Sequence, residues 1–396
     1  MDNFLGDIIE GLSDDYITKK IVVTEYKQID EGMKWADICW FEWCDELVIY
    51  GSKLAVAKEK KVVCRLHRYE SLTNYPKNVN WENVDKLIIV TNHLKRFLIA
   101  AIPNIEKKID ILTINNGVNL DRYEFKERKK GFNIAYVGYI HSRKNPTLLL
   151  QIMNVLVKID KRYKLYVAGQ FQDSLIELYW NDEINKMNLG GNIIFQGWKD
   201  DIGKWLENKN YILSTSIHES FGYGIAEAMS RGIKPIIHNF PFANEIWNES
   251  FMFNGIDKAV SMITEGEYKS KEYRKFIENK YSLEMQIKSL KTLLCKISPR
   301  DPEIGTLSKR QIKLDDIDEV VSIYFYGRSG SLFLQSLLDS HPNILMIPGD
   351  YIRFYYWFWN SLDPKLNDRL DKNNVIDVFN QVFPFIFNSD SISHKC

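Results

Sequence analysis

Residues 211–237 read YILSTSIHESFGYGIAEAMSRGIKPII, and their pattern decides the fold. An apolar run of strand length ends at Ser216, a turn carries Gly222 and Gly224, a helical pattern opens near Tyr223, and a second apolar run follows at 233–238. A strand, a helix and a strand in close succession imply a parallel sheet. Backbone amides at such a helix start, with glycines permitting close approach, suit a phosphate or diphosphate. Glu219 and Glu227 flank this start, eight residues apart. With the helix opening between them, Glu227 lies one turn inside it and Glu219 on the preceding loop, so both carboxylates can face one crevice. Complementing the helix dipole is the other ordinary use of glutamates at a helix start.

The same alternation runs outward in both directions. FNIAYVG (132–138), RYKLYVAG (162–169) and GNIIFQG (191–197) precede the stretch as strands separated by helical patterns. Upstream lie ADICWFEW (36–43), KVVCRLH (61–67), KLIIVT (86–91) and KIDILTI (108–114), with IVVT (21–24) as a further short strand and an opening helix over 4–12. These runs divide into two α/β domains, 1–122 and 123–296, and the crevice between them is the default ligand site. Within the second, YVGYIHSRKNPTLLLQIM (136–153) places His141, Arg143 and Lys144 on a turn before a helix that Pro146 opens. Two cations there answer a diphosphate at the opposite helix start.

Composition narrows the function classes. The 396 residues are 45% hydrophobic and 26% charged, inside the globular range. Lys plus Arg and Asp plus Glu are 52 each, so no global field draws the chain to nucleic acid, and a charged ligand must be held locally. The five cysteines lack metal-ligand spacing and read as buried thiols of a reducing compartment. No run reaches the ~18 apolar residues of a spanning helix, and the first twenty lack the form of a signal peptide. The expected location is cytoplasmic, at the inner face of a membrane if the acceptor is a lipid. FYYWFW (354–359) cannot span a bilayer; it either packs in a core or makes peripheral membrane contact.

Taken together, these motifs resemble the retaining nucleotide-sugar glycosyltransferases of family 4, which have the GT-B fold of two facing Rossmann-like domains. The resemblance covers residues 1–296. It rests on Glu219-Ser-Phe-Gly-Tyr-Gly-Ile-Ala-Glu227 followed by Ala-Met-Ser-Arg-Gly and the strand IKPII. Gly138-Tyr-Ile-His-Ser-Arg-Lys-Asn-Pro, Phe195-Gln-Gly-Trp-Lys-Asp-Asp and Asn116-Gly-Val-Asn support it. The resemblance implies that a sugar passes from a nucleoside-diphosphate sugar to a glycan or glycolipid acceptor, in surface polysaccharide synthesis. It implies that Glu227 binds the ribose hydroxyls, that Glu219 lies at the transferred sugar, and that the amides of Phe221, Gly222, Tyr223, Gly224 and Ile225 hold the diphosphate. Lys144 matches the family's diphosphate-binding lysine, and Arg143 stands in for an arginine that the family often has where Tyr139 lies. His67, in VCRLHRYE, matches a histidine that points into the crevice from the acceptor side. Catalysis is then electrostatic, with no cofactor and no required metal, and no DxD motif appears where a metal-diphosphate bridge would be expected, since Asp200-Asp201 and Asp14-Asp15 are not of that form. Family members begin with a strand and a glycine-containing loop, so the first strand is expected to be missing from the acceptor-side domain.

A linker, 297–319, with two prolines and many charges, precedes a third unit at 320–396. Tyr326-Gly-Arg-Ser-Gly-Ser-Leu-Phe-Leu-Gln-Ser resembles the phosphosulfate-binding loop of sulfotransferases that use 3′-phosphoadenylyl sulfate (PAPS), so a partial P-loop-like α/β unit is expected. Arg328, Ser329, Gly330 and Ser331 would wrap the phosphosulfate, making PAPS the ligand of a complete unit of this kind. The alternatives to glycosyl transfer are sulfate transfer, with the first two domains positioning the glycan, and a GT-B scaffold that binds without turnover. The arginine and serine that hold the 3′-phosphate in sulfotransferases have no clear match before Cys396. The 396-residue chain is therefore expected to transfer no sulfate, and labelled sulfate appearing on a glycan acceptor would overturn that expectation.

Overall fold

The structure, a computed structural model, describes residues 3–297. Two parallel sheets organise it. The first has four strands in the order β1-β2-β3-β4: Ile38–Phe41, Lys61–Leu66, Lys86–Ile89 and Asp110–Thr113. The second has six in the order β10-β9-β8-β5-β6-β7, built from β5 Asn133–Val137, β6 Lys164–Ala168, β7 Ile193–Phe195, β8 Tyr211–Ser214, β9 Lys234–His238 and β10 Met252–Phe253.

Burial on both faces explains the uninterrupted apolar strands. Val62 and Cys64 pack into one cluster of the first sheet and Val63 into another, all without exposure. In the second sheet Leu213 and Ile236 face one core and Ile212 and Ile237 the other. Its order reverses between β5 and β8. Such a switch point is where open α/β sheets leave a crevice for a ligand.

The segment Ile21–Thr24, expected as a strand, is irregular, and Val22 is exposed. The backbone amides of Thr24 and Glu25 donate to Gln28 Oε1 at 2.7 and 3.0 Å, so at the end of the segment a side chain takes amides that a strand would offer to a neighbour. The first described element is the helix Asn3–Leu12, and the first strand is β1. Cys39, Cys44 and Cys64 are buried thiols, whereas Cys295 is exposed on the outer side of its helix. The linker, the sulfotransferase-like unit with Arg328, Ser329, Gly330 and Ser331, and the aromatic run 354–359 lie outside the described residues.

The last described helix returns to the first sheet. Leu290, Leu293, Leu294 and Ile297 of the helix Leu283–Ile297 pack with Ile8 and Leu12 against Val63, Ile88 and Ile114. This helix is pinned at the join between the sheets, where Gly117 N donates to Gln286 Oε1 at 2.8 Å and Leu283 N to Val118 O at 2.9 Å. A Cβ on Gly117 would stand 2.6 Å from Leu283 Cα, so only glycine lets the strands' connection pass the helix. Leu290→Ala removes a fully buried side chain from this contact. It is expected to cost about 2 to 5 kcal/mol in urea denaturation; a loss below roughly 1 kcal/mol would mean that the helix contributes little to joining the sheets.

Candidate functional site

Glu219 is the centre of the site. It is 8% exposed and leaves β8 on the loop that precedes the helix Tyr223–Ser230. Lys144 Nζ donates to its Oε1 at 2.5 Å, Ser216 Oγ to the same oxygen at 2.8 Å, and Arg143 Nη1 to Oε2 at 3.2 Å. Both cations come from the turn after β5, where Ser142–Lys144 form a tight 3₁₀ turn and Asn145 caps the helix that opens at Pro146. Backbone bonds lock the two loops together: Ile217 N donates to Arg143 O at 2.9 Å and Thr215 Oγ1 to Lys144 O at 2.8 Å. Burial by itself would raise the Glu219 carboxyl. The charges of Lys144 and Arg143, with hydrogen bonds from Lys144 and Ser216, outweigh burial and hold it at about 2.

The helix start has the conformation that its glycines imply. Gly222 is the N-cap residue at φ 91°, in the left-handed region, and a Cβ there would also press on Ile225 Cδ1 at 3.1 Å. Tyr223 and Gly224 open the helix, so their amides lack intrahelical acceptors. The Ile225 amide donates to Gly222 O at 3.0 Å, unlike the other amides expected at a diphosphate. Phe221 and Ile225 point into the core, and the Phe221 ring lies 5.0 Å from Tyr281 and 6.0 Å from Trp247.

Glu227 lies one turn inside this helix and has a different environment from Glu219. The Tyr123 hydroxyl donates to it and Arg122 is nearby, but burial outweighs both and raises its carboxyl above the ordinary glutamate range. Arg122 Nη2 in turn pairs with Asp7 Oδ1 of the helix Asn3–Leu12 at 2.8 Å.

His67, at the carboxyl end of β2, reaches the crevice: the Phe4 ring lies between it, at 6.1 Å, and Tyr223, at 5.7 Å. Its Nε2 donates to Glu42 Oε1 at 2.8 Å. Glu42 also accepts from Trp40 Nε1 at 2.9 Å and from Arg65 Nη1 at 3.1 Å. Arg65, without exposure, continues the chain of bonds to Asn116 at the join between the sheets. Burial opposes ionisation of Glu42, yet Arg65 and His67 bring its carboxyl below the usual range; burial lowers His67, which is neutral near pH 7. The Trp43 ring lies 4.4 Å from His67 and is 42% exposed.

The expected residues thus form three groups along one crevice: Glu219 with Arg143 and Lys144, Glu227 at the helix start, and His67 on the facing wall. Glu42, Arg65, Trp43 and Phe4 were not singled out from the sequence. For Glu42 and Trp43 the available signal was position, since both follow the carboxyl end of β1.

Two parallel α/β sheets facing one crevice define the GT-B-like glycosyltransferase fold. Residues 119–282 match the family model described as Glycosyl transferases group 1. The chain is 24% identical over 235 residues, 52% of its length, to UDP-Gal:alpha-D-GlcNAc-diphosphoundecaprenol alpha-1,3-galactosyltransferase of Escherichia coli. It is 24% identical over 140 residues, 32% of its length, to GDP-mannose:cellobiosyl-diphosphopolyprenol alpha-mannosyltransferase of Xanthomonas campestris. These matches span 59% and 34% of the two relatives' lengths. Among solved structures, Anabaena HepE in complex with UDP and glucose superimposes with a TM-score of 0.57 at 14% identity, covering 68% of this chain and 80% of that one.

Glu219→Gln tests the electrostatics of the centre. Because the folded pKa is depressed from 4.5 to about 2, the stabilisation is present above ~4.5 and is lost as pH falls through ~2. The variant is expected to lose roughly 1 to 3 kcal/mol at pH 7 by chemical denaturation. That difference should shrink as pH is lowered from 5 towards 2; a pH-independent loss would assign the effect to packing instead.

Proposed function

We propose that the chain transfers a sugar from a nucleoside-diphosphate sugar to a glycan or glycolipid acceptor with retention of anomeric configuration, as a hexosyltransferase of the family 4 type. The carrying observation is the Glu219 carboxylate shared by Lys144 and Arg143 beside the free amides of a helix start. In transfer the bond between the anomeric carbon and the diphosphate oxygen breaks, positive charge develops on the sugar and negative charge on the leaving diphosphate. Lys144, Arg143 and the amides of Tyr223 and Gly224 stabilise the second charge, and it grows toward the transition state, where preorganised donors act most strongly. Glu219 faces the sugar, Glu227 accepts from the ribose hydroxyls, and His67, aligned by Glu42, meets the sugar from the other wall.

The names of the two curated relatives specify lipid-diphosphate acceptors, and the HepE structure holds UDP and glucose, which supports the same classes of donor and acceptor here. A polyprenyl-linked acceptor would put the reaction at the cytoplasmic face of a membrane, in surface polysaccharide synthesis. Among the described residues no helix is long and apolar enough to cross a membrane, which is consistent with peripheral attachment.

Incubation with a panel of UDP-, GDP-, ADP- and dTDP-sugars and lipid-diphosphate glycans, with release of nucleoside diphosphate as the readout, tests this reading. No release with any pair, from protein that also binds no nucleoside diphosphate, would reject it. Glu227→Ala is expected to weaken UDP binding roughly 10-fold or more in calorimetry, through lost charge-assisted bonds to the ribose. Since burial raises the Glu227 carboxyl, acidification below neutrality should weaken UDP binding in the parent before ordinary glutamates titrate, and Glu227→Gln should remove that dependence. Unchanged affinity in a folded Glu227→Ala protein would remove Glu227 from the site.

A further inference from the structure

Arg68 directly follows His67 and begins the short helix Arg68–Ser71 at the carboxyl end of β2. It is half-buried, and its guanidinium makes no hydrogen bond or ion pair with another described residue. Arg65, three residues earlier on the same wall, is paired to Glu42 and Asn116.

The groups facing Arg68 come from both walls. Arg143 and Glu219 lie across the crevice and Glu70 on its own helix. The walls meet close by: His218, which precedes Glu219 and accepts from Arg143 through its carbonyl, lies 5.2 Å from His93 of the first wall, ring to ring. None of these neighbours offers Arg68 a free counter-charge. Glu219 is already shared by Arg143 and Lys144, and burial raises Glu70 to about 7, leaving it only partly ionised near neutrality. His141 and His218 are kept neutral by burial and by the surrounding cations. Three cations therefore share one fully ionised and one partly ionised carboxylate, an excess of between one and two positive charges in a partly desolvated crevice. Like charges gathered this way repel, and an anion of charge near −2 with several oxygens relieves the repulsion.

We propose that Arg68 is the third arm of a diphosphate clamp, meeting the leaving group from the wall opposite Arg143 and Lys144. This rests on the nucleotide-sugar reading above and extends it to the first wall. The planar fork of a guanidinium suits two oxygens of one phosphate, whereas Lys144 acts as a point charge. With a diphosphate in place, the cation left unpaired gains a partner that it shares with the opposite wall.

The test is calorimetric titration of the full chain with UDP, GDP, ADP and dTDP, then with UMP and inorganic pyrophosphate at several NaCl concentrations, for the parent, Arg68→Ala and Arg68→Lys; where another nucleoside diphosphate binds in place of UDP, it and its monophosphate replace UDP and UMP throughout. Arg68→Ala is expected to weaken UDP and pyrophosphate binding roughly 10- to 100-fold, and UMP binding less. It should also flatten the salt dependence of UDP binding, and Arg68→Lys should restore part of both. Parent-like UDP affinity and salt dependence in Arg68→Ala would overturn the clamp while leaving the donor reading intact. An equal loss for UDP and UMP with unchanged salt dependence would also overturn it, since that is the signature of a merely structural residue. If the parent binds none of UDP, GDP, ADP or dTDP, the donor reading falls and the clamp with it.

Discussion

The carboxylate of Glu219, held between Lys144 and Arg143, is the interaction on which the site depends. It spans the point where the strand order of the second sheet reverses, and it joins the turn after β5 to the loop after β8. Buried charge is costly unless it is paired and hydrogen-bonded, and here three side chains satisfy one carboxylate. The two backbone bonds between these loops set the approach, so the cations are placed before any ligand arrives. Preorganisation of this kind lets charge be stabilised without rearrangement during reaction.

Two glutamates flank one helix start and are driven in opposite directions. Glu219 lies on the loop among cations and stays ionised to about pH 2, while Glu227 lies in the helix beside a tyrosine hydroxyl and is raised by burial. Environment separates them, because both begin from the same side-chain chemistry. A carboxylate fixed against cations suits a site of developing charge, whereas one paired with a hydroxyl suits exchange of that partner for other hydroxyls, as a ribose provides.

The facing wall uses the same principle more deeply. Asn116, Arg65, Glu42 and His67 form a bonded chain from the join between the sheets to the crevice. Because a carboxylate only accepts, Glu42 fixes the proton on His67 Nε2. At the contact between the walls, Phe242 stands at φ 68° with its ring stacked on His93 and under the Arg96 guanidinium. A non-glycine residue in that region is strained, and the aromatic contacts across the seam hold it there. The crevice thus has one wall shaped around a shared carboxylate and another around a buried arginine, with aromatic packing between them.

Much of this was legible in the sequence because parallel strands buried on both faces leave long apolar runs, and helix starts leave glycine and proline in fixed places. Nine of the strands, the helix opening at Tyr223, and the turn with Arg143 and Lys144 follow from such local signals. The false strand at Ile21–Thr24 shows the limit: a four-residue apolar run needs a neighbouring strand, and Gln28 takes the amides at its end instead. Cys295 is exposed because its place on the helix, which no cysteine spacing reveals, turns it away from the sheet. Glu42, Arg65 and Arg68 carry no motif, and their importance comes from residues 23 to 151 positions away in the chain that folding brings beside them. The sequence by itself determined the strands, the turns and the residue types at the crevice, since these depend on periodicity and backbone conformation within a few residues. Only the tertiary structure decided which charges meet, because burial and pairing depend on distance in space, and these set whether each carboxyl is ionised and which arginine is left without a partner.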